Sequence, residues 1–501
     1  MLFNSLYFLL FSLFVLLVYH AVLRSFATRK LFLLAASWFF YATWSPQFLL
    51  VLIATTLIDF QLARLIYRAR WRSAIPEGEP VERDASGKRR ARALLVLSLV
   101  INLGLLAFFK YGRFFYQTTA SLVVLPPTPG FLAVFVPLGI SFYTFHSISY
   151  VIDTYRGVRP PTDHFGDFAL YVAFFPQLIA GPITRWGFFG PQLASPREVS
   201  FTRFESAIFL IAVGYVKKVV CADSLGGFVD GVYGDIPHAG HLEVLLALYA
   251  YTFQIYFDFS GYTDIAMGVA GLLGFRLPEN FRHPYLAENP SEFWRRWHIS
   301  LSSWLRDYLY IPLGGNRRGN ARTYFNLLVT MLLGGLWHGA AWTFVLWGGF
   351  HGLWLALHRL LAGRGPFATA FTELSIESRV ASQEVPPVEA RAPFSPLWLR
   401  RLVTFHLVTV AWVLFRAGTV ANVAAIFAGV FSSRPLSGPF PVGPLFLVLI
   451  GAAFHGVALR FDLEALWRRI PRVVQGAVYG VVIVLVGLFS AQSGRFIYFQ
   501  F

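Results

Sequence analysis

The stretch Phe293–Tyr308, FWRRWHISLSSWLRDY, concentrates aromatic and charged side chains in a chain that is otherwise strongly apolar. It holds three tryptophans, three arginines and one histidine. The 501-residue chain is 56% hydrophobic and only 14% charged, whereas a soluble protein carries about 25% charged residues. This composition predicts an all-α polytopic membrane protein, because helices satisfy their own backbone hydrogen bonds inside a bilayer.

The quoted stretch predicts one amphipathic helix at the cytoplasmic boundary of the membrane. Asn289 suits the N-cap, Pro290 the first helical position and Glu292 the third, and Pro312 ends the helix. The aromatic face carries His298 toward the helix bundle, and the arginines cover the opposite face. The residues of the aromatic face recur at spacings of three and four: Trp294, Trp297, His298, Leu301, Trp304, Leu305 and Tyr308.

Long apolar segments on either side predict about 11 membrane-spanning helices, with shorter or re-entrant pieces among them. The N-terminal segment lacks a basic n-region, so we expect an uncleaved first span. Gly166–Arg185 carries Pro176 and Gly181-Pro182, which predicts a broken or re-entrant helix lining a cavity. The candidate spans are 3–23, 31–45, 47–66, 93–109, 131–151, 202–221, 242–258, 323–338, 340–361, 399–416, 442–459 and 474–492.

Basic residues gather in a few loops, and this pattern predicts the orientation of the chain. The segment after the first helix, the basic loop 68–92 and the loop Arg460–Arg472 are expected to be cytoplasmic, with both termini outside. The same rule accounts for the net charge of +16, so we expect no nucleic-acid partner. We expect one membrane domain over 1–501, a flexible cytoplasmic loop at 364–396, and a last helix with its tail at 474–501. The sole cysteine, Cys221, excludes a disulfide or a cysteine metal cluster.

A second histidine lies in the glycine-rich segment Leu332–Trp354, LLGGLWHGAAWTFVLWGGFHGLW. His338 falls where one predicted span gives way to the next, and an ionisable residue at membrane depth is a functional candidate. Burial favours the neutral imidazole that a general base needs. From the residues alone, His338 and His298 are either catalytic or structural. The arginines Arg295, Arg296 and Arg306 bind either lipid headgroups or the phosphates of a nucleotide-bearing donor.

Other catalytic patterns are absent from the sequence. It has no G-x-S-x-G elbow, Walker A loop or H-E-x-x-H zinc helix, and no metal site is expected. Acids in apolar surroundings leave a transporter or flippase as an alternative, because they could relay protons. The interpretation we prefer is that they pair with Lys217, Lys218 or nearby arginines, or cap helix ends. These acids are Asp59, Asp153, Asp258 and Asp264.

Four segments together resemble the membrane-bound O-acyltransferase family, and within it the branch that O-acetylates cell-envelope polysaccharides such as alginate. They are Phe174–Arg185 (FFPQLIAGPITR), Ile255–Phe275 (IYFDFSGYTDIAMGVAGLLGF), Glu279–Gly319 (ENFRHPYLAENPSEFWRRWHISLSSWLRDYLYIPLGGNRRG) and Gly334–Trp342 (GGLWHGAAW). The resemblance implies a ring of helices around a central tunnel. It also implies that His338, in Trp-His-Gly, is the catalytic histidine and that His298, in Trp-His-Ile-Ser, is its partner.

The C-terminal FIYFQF, Phe496–Phe501, is similar to the tail of a small membrane partner in teichoic-acid D-alanylation. This likeness implies that Tyr498 relays the acyl group, although an interfacial aromatic anchor is the alternative. As a whole, the resemblance implies transfer of acetyl from cytoplasmic acetyl-CoA across the bacterial inner membrane, without a bound cofactor. A periplasmic SGNH-type, esterase-like partner would then acetylate the polysaccharide. D-alanyl or other acyl transfer to teichoic acid or lipid is the alternative.

Overall fold

The computed structural model describes residues 1, 3–72, 81–82, 84–132, 136–195, 198–361, 396–490 and 497. Apart from two short paired strands, the regular elements in these ranges are helices. The helices are α1 (Leu6–Leu17), α2 (Phe26–Ala42), α3 (Pro46–Arg70), α4 (Ala85–Leu106), α5 (Gly112–Ala120), α6 (Ile140–Arg156), α7 (Phe165–Ala173), α8 (Phe175–Leu178), α9 (Trp186–Ala194), α10 (Phe201–Tyr215), α11 (Asp223–Gly234), α12 (His241–Leu272), α13 (Pro290–Arg296), α14 (Ile299–Leu305), α15 (Asn320–His338), α16 (Trp342–Leu361), α17 (Leu397–Arg416), α18 (Val420–Val430), α19 (Val442–Arg460), α20 (Leu463–Arg469) and α21 (Arg472–Phe489). Short π-helical segments extend α1, α4, α10 and α14: Val18–Val22, Ala107–Tyr111, Val216–Ala222 and Arg306–Tyr310.

Every predicted apolar segment overlaps one of these helices, so the chain is an all-helical, multi-pass membrane protein. Four helical segments in the described ranges are long and apolar enough to cross a bilayer: Pro46–Arg70, Ala85–Ala120, Leu397–Arg416 and Arg472–Phe489. The bent pair Val442–Ala458 and Leu463–Arg469 would add a fifth. The count of about 11 spans and the central tunnel stay predictions.

The predicted loop 68–92 is shorter than expected, because helices extend into it from both sides. α3 continues to Arg70, and α4 begins at Ala85 after an N-cap in which Asp84 accepts a hydrogen bond from the Gly87 backbone N–H. Between them, β1 (Trp71–Arg72) pairs antiparallel with β2 (Val81–Glu82). Arginine and lysine are good helix formers, so a basic composition does not by itself end a helix.

The Cα positions divide the chain into two compact units. The first contains Met1, Leu6–Phe204 and Val269–Pro278. In it, the helix predicted over Gly166–Arg185 breaks at Phe174, between α7 and α8, as expected. The Thr184 backbone N–H then donates to His146 Nε2 at 3.1 Å, which satisfies one of the backbone groups that the break leaves outside a helix.

The second unit contains Leu2–Ser5, Glu205–Gly268 and Glu279–Phe501. Two of its helices approach backbone to backbone: a Cβ added to Gly261 of α12 would lie 2.7 Å from the carbonyl oxygen of Gly214 of α10. Helices in membranes pack in this way through small residues. The core of this unit is rich in aromatic side chains, including Phe293, Trp297 and Trp412. The single domain over 1–501 stays a prediction, and most of the predicted loop 364–396 lies outside the described residues.

Candidate active site

His298 interrupts the helix that the sequence predicts over Phe293–Tyr308. α13 ends at Arg296, and His298 adopts a left-handed backbone conformation (φ 43°, ψ 54°) before α14 begins. The prediction of a single amphipathic helix is therefore wrong. The predicted N-cap is confirmed, because Asn289 Oδ1 accepts a hydrogen bond from the Glu292 backbone N–H at 2.8 Å.

Tertiary hydrogen bonds explain this break. The backbone N–H of Ile299 donates to the Asn280 carbonyl at 3.0 Å, and Ser300 Oγ donates to Asn280 Oδ1 at 2.9 Å. Asn280 is fully buried and precedes the helix by many residues, so periodicity within the stretch could not reveal it. A left-handed conformation costs a non-glycine residue about 1–2 kcal/mol, and such strain clusters at functional sites.

The structure brings the two predicted catalytic histidines together. The ring centroids of His298 and His338 are 6.3 Å apart, with an angle of 50° between the ring planes. His298 is fully buried and His338 is 4% exposed. His338 is the last residue of α15, so both imidazoles lie at helix ends. Two neighbouring imidazoles at helix ends are suited to act on one substrate group.

Aromatic side chains from three further helices surround the pair. The Phe259 ring of α12 is 4.7 Å from the His298 ring, and Trp347 of α16 and Phe415 of α17 lie 5.0 and 5.2 Å from the His338 ring. An apolar enclosure excludes water and strengthens every electrostatic interaction inside it. Phe259 and Phe415 lie far away in the sequence, so local motifs could not identify them.

Neither ring nitrogen of His298 has a hydrogen-bond partner among the described residues. Burial lowers the pKa of His298 to about 3, so the imidazole is neutral at physiological pH. A buried polar group without a partner is costly, and in native proteins it calls for an explanation such as catalysis or a bound water. A substrate oxygen or hydroxyl would satisfy it.

A third histidine lies close to the aromatic residues of the site, and the sequence motifs did not predict it as a site residue. His351 of α16 is fully buried, and its ring lies 4.7 Å from Trp347 and 5.0 Å from Trp294. Neither of its ring nitrogens has a hydrogen-bond partner in the part of the chain that the structure describes. The signal for it was its spacing of four residues from Trp347, which places both side chains on one face of α16.

The three predicted donor-binding arginines differ in their surroundings. Arg296 forms an ion pair with Glu292 at 2.6 Å, and Arg306 with Asp307 at 2.6 Å. Within the described ranges, Arg295 has no hydrogen bond or ion pair, and it is half-buried. Arg295 is therefore the guanidinium in this group most readily available to an anion. Its role in donor binding stays a prediction, as do those of Arg296 and Arg306.

Three of the four acids that left a transporter as an alternative, Asp59, Asp258 and Asp264, have identified partners in the structure. Asp264 pairs with Lys217 at 2.7 Å and Asp258 with Lys218 at 2.6 Å, which confirms the predicted pairing. Asp59 differs: it accepts hydrogen bonds from Ser98 Oγ at 2.7 Å and from the Asn102 amide at 2.9 Å. Tyr498, the predicted relay residue, lies outside the described residues.

The chain belongs to the membrane-bound O-acyltransferase (MBOAT) family, and is a membrane-bound O-acyltransferase. The family model matches residues 158–370, which include both histidines. The chain is 38% identical over 456 residues to the probable alginate O-acetylase AlgI of Pseudomonas aeruginosa, covering 89% of this chain and 79% of that protein. It is 40% identical over 407 residues to the probable alginate O-acetylase AlgI of Azotobacter vinelandii, covering 81% and 73%. It is also 34% identical over 434 residues to the peptidoglycan O-acetyltransferase of Helicobacter pylori, covering 81% and 75%.

Proposed function

We propose that this enzyme takes an acetyl group from cytoplasmic acetyl-CoA and passes it across the bacterial inner membrane, for O-acetylation of an extracytoplasmic polysaccharide such as alginate. The observation that carries the proposal is the pair of buried imidazoles, His298 and His338, 6.3 Å apart. The relatives support the substrate class, because their names give alginate and peptidoglycan as the acetylated polymers.

In the proposed reaction, His338 acts as the general base. It takes the proton of an attacking hydroxyl while the hydroxyl oxygen bonds to the thioester carbonyl carbon. The carbon–sulfur bond then breaks, and the proton passes from the imidazole to the leaving CoA sulfur, so the histidine is regenerated. His298, neutral and without a hydrogen-bond partner among the described residues, holds the reacting oxygen in place. Positioned acid–base catalysis of this kind contributes about 10²–10⁴-fold to the rate.

The donor and the acceptor reach the histidines from opposite sides of the membrane in this proposal. The CoA phosphates bind at the cytoplasmic mouth, where Arg295 supplies a guanidinium that forms no ion pair within the described residues. Arg296 and Arg306 would contribute by exchanging their ion pairs with Glu292 and Asp307 for the phosphates. Tyr498, reaching in from the outer side, receives the acetyl group. A periplasmic SGNH-type, esterase-like partner then transfers it to the polysaccharide.

Acetylation of polymer in cells tests the catalytic assignment. We expect His338→Ala and His298→Ala to lower polymer acetylation by about 100-fold or more, with the protein still inserted in the membrane. His406→Ala is the matched control, because His406 is an exposed histidine of α17 that lies outside the aromatic enclosure. Normal acetylation by the His338 variant would overturn the assignment.

The donor and the relay need separate experiments. Purified protein supplied with labelled acetyl-CoA should release CoA, whereas a D-alanyl transferase would leave this donor intact. Movement of a substrate without any covalent product would instead indicate a transporter. Replacing Tyr498 with Phe removes one oxygen atom and should abolish transfer with expression unchanged. Full activity of that variant would leave Tyr498 as an interfacial anchor only.

A further inference from the structure

Ile497, near the end of the chain, is seated in the interior of the second unit. It is 1% exposed and belongs to the same core cluster as Phe257 and Trp297. Its backbone N–H donates a hydrogen bond to Asp258 Oδ2 at 2.7 Å. A backbone N–H bound to a carboxylate forms a charge-assisted hydrogen bond, which is roughly twice as strong as a neutral one.

Asp258 is itself held by a buried cation. The Lys218 ammonium lies 2.6 Å from Asp258 Oδ1 and 2.7 Å from Asp223 Oδ1, and the three side chains are only 3–5% exposed. The two oxygens of Asp258 are therefore divided between an ammonium and the Ile497 peptide. Lys218 lies in the π-helical segment Val216–Ala222, and such segments are frequent at functional sites.

Helix α12, which carries Asp258, also contacts the histidine pair. We call the hydrogen bond between Asp258 and the Ile497 N–H the anchor. Asp258 directly precedes Phe259 in α12, and the Phe259 ring packs 4.7 Å from the His298 ring. Consecutive Cα atoms are about 3.8 Å apart, so the anchor lies one residue along α12 from a wall of the candidate active site. Tyr498 follows Ile497 in the sequence.

We propose that Asp258, fixed by Lys218, is a positioning residue that anchors the chain at Ile497 in the core of the second unit, and that acetyl transfer to Tyr498, the next residue in the sequence, depends on this anchor. The proposal rests on the proposed function, in which Tyr498 receives the acetyl group. It assigns Asp258 no contact with the substrate. Its role is to hold the backbone N–H of Ile497, which precedes the relay tyrosine in the sequence.

The Asp258→Asn substitution isolates this role. Asp258→Asn keeps the shape of the side chain but replaces one acceptor oxygen with an N–H₂ group. That group must then face either the Lys218 ammonium or the Ile497 N–H, both of which are donors. Asp264→Asn is the matched control, because Asp264 lies on the same helix and pairs with Lys217 at 2.7 Å. It removes one partly buried ion pair without changing the acceptor of Ile497.

Labelling of a cysteine reports docking directly, without reference to activity. Cys221→Ala with Ile497→Cys leaves one cysteine in the chain, and the anchoring bond survives because it uses the backbone N–H. We expect slow labelling by a water-soluble maleimide in this parent. Adding Asp258→Asn should speed labelling about tenfold or more, as for the loss of one charged hydrogen bond, and Asp264→Asn should leave the rate unchanged. Equal labelling of all three proteins would overturn the proposal.

Polymer acetylation, measured with the native cysteine and Ile497, tests whether acetyl transfer depends on the hydrogen bond between Asp258 and Ile497. Asp258→Asn should lower acetylation about tenfold or more at normal expression, and Asp264→Asn should keep it. Faster labelling with undiminished acetylation would also overturn the positioning role. Activity that survives in His338→Ala would instead refute the proposed function, and the labelling rates would still decide whether Asp258 docks the tail.

Discussion

Replacing Gly261 with alanine should destabilise the enzyme, whereas the same change at Gly227 should not. A Cβ on Gly261 would lie 2.7 Å from the Gly214 carbonyl oxygen, 2.9 Å from the Lys218 backbone nitrogen and 3.0 Å from Lys217 Cβ. Carbon and carbonyl oxygen normally approach to about 3.3 Å. Helices α10 and α12 must therefore separate by about 0.6 Å to admit the methyl group.

The size of the effect follows from two opposing terms. Overpacking costs about 1–3 kcal/mol, and the exchange of glycine for alanine in a helix returns up to about 1 kcal/mol. Gly227 of α11 has nothing within 4 Å of a Cβ, so there only the favourable term applies. The two variants should therefore differ in unfolding free energy by about 1–3 kcal/mol.

Thermal unfolding in detergent, followed by tryptophan fluorescence, measures this difference. Gly214→Ala is an internal replicate, because its Cβ would lie 2.7 Å from the Gly261 carbonyl oxygen. Acetyl transfer by the folded Gly261 variant should also fall, since α12 carries the Phe259 wall of the histidine site and small misplacements are costly in catalysis. Equal stability of the Gly261 and Gly227 variants would refute the reasoning about backbone contact.

Three further predictions concern single side chains. Asp59→Ala should cost about 1–3 kcal/mol of stability, because it leaves Ser98 and Asn102 without their buried acceptor; Asp59→Asn, which keeps an oxygen, should cost less in the same unfolding assay. Phe415→Ala should open a cavity beside His338 and cost about 3–5 kcal/mol; a loss no larger than that of Phe431→Ala, an exposed control (86%), would contradict this. Because burial lowers the pKa of His298 to about 3, its contribution to stability is complete above about pH 6.5 and is lost as the pH falls toward 3. As the pH falls from about 6.5 toward 3, the unfolding free energy of the wild type should therefore decrease more steeply than that of His298→Asn. An equal pH dependence in the two proteins would contradict the prediction.

The positions of the long apolar helices could be predicted because each depends on a continuous apolar segment, whereas shorter helices such as α11 and α18 were not predicted. The bounds of α15 and α16, for instance, differ by at most a few residues from the predicted spans 323–338 and 340–361. The pairing of Asp258 and Asp264 with Lys218 and Lys217 was also predictable, since buried charges require partners. These features follow from the chemistry of the residues and need little knowledge of the tertiary arrangement.

The interruption at His298 could not be predicted, because it depends on hydrogen bonds to Asn280 from outside the periodic stretch. The walls of the site, Phe259 and Phe415, come from helices that only the tertiary fold brings near the histidines. The ion pairs of Arg296 and Arg306 changed the expectation for donor binding for a similar reason. The spacing of residues along a helix shows which side chains lie on the same face. It does not show which carboxylates neutralise the arginines on that face.

The rate of CoA release from acetyl-CoA by purified, reconstituted protein tests the central claim most directly. The wild type should release CoA in the presence of the acceptor partner, and His338→Ala should release it at least about 100-fold more slowly, with the same tryptophan fluorescence and thermal stability. His406→Ala should match the wild type. Release of CoA by the His338 variant at the wild-type rate would contradict the assignment of His338 as the general base.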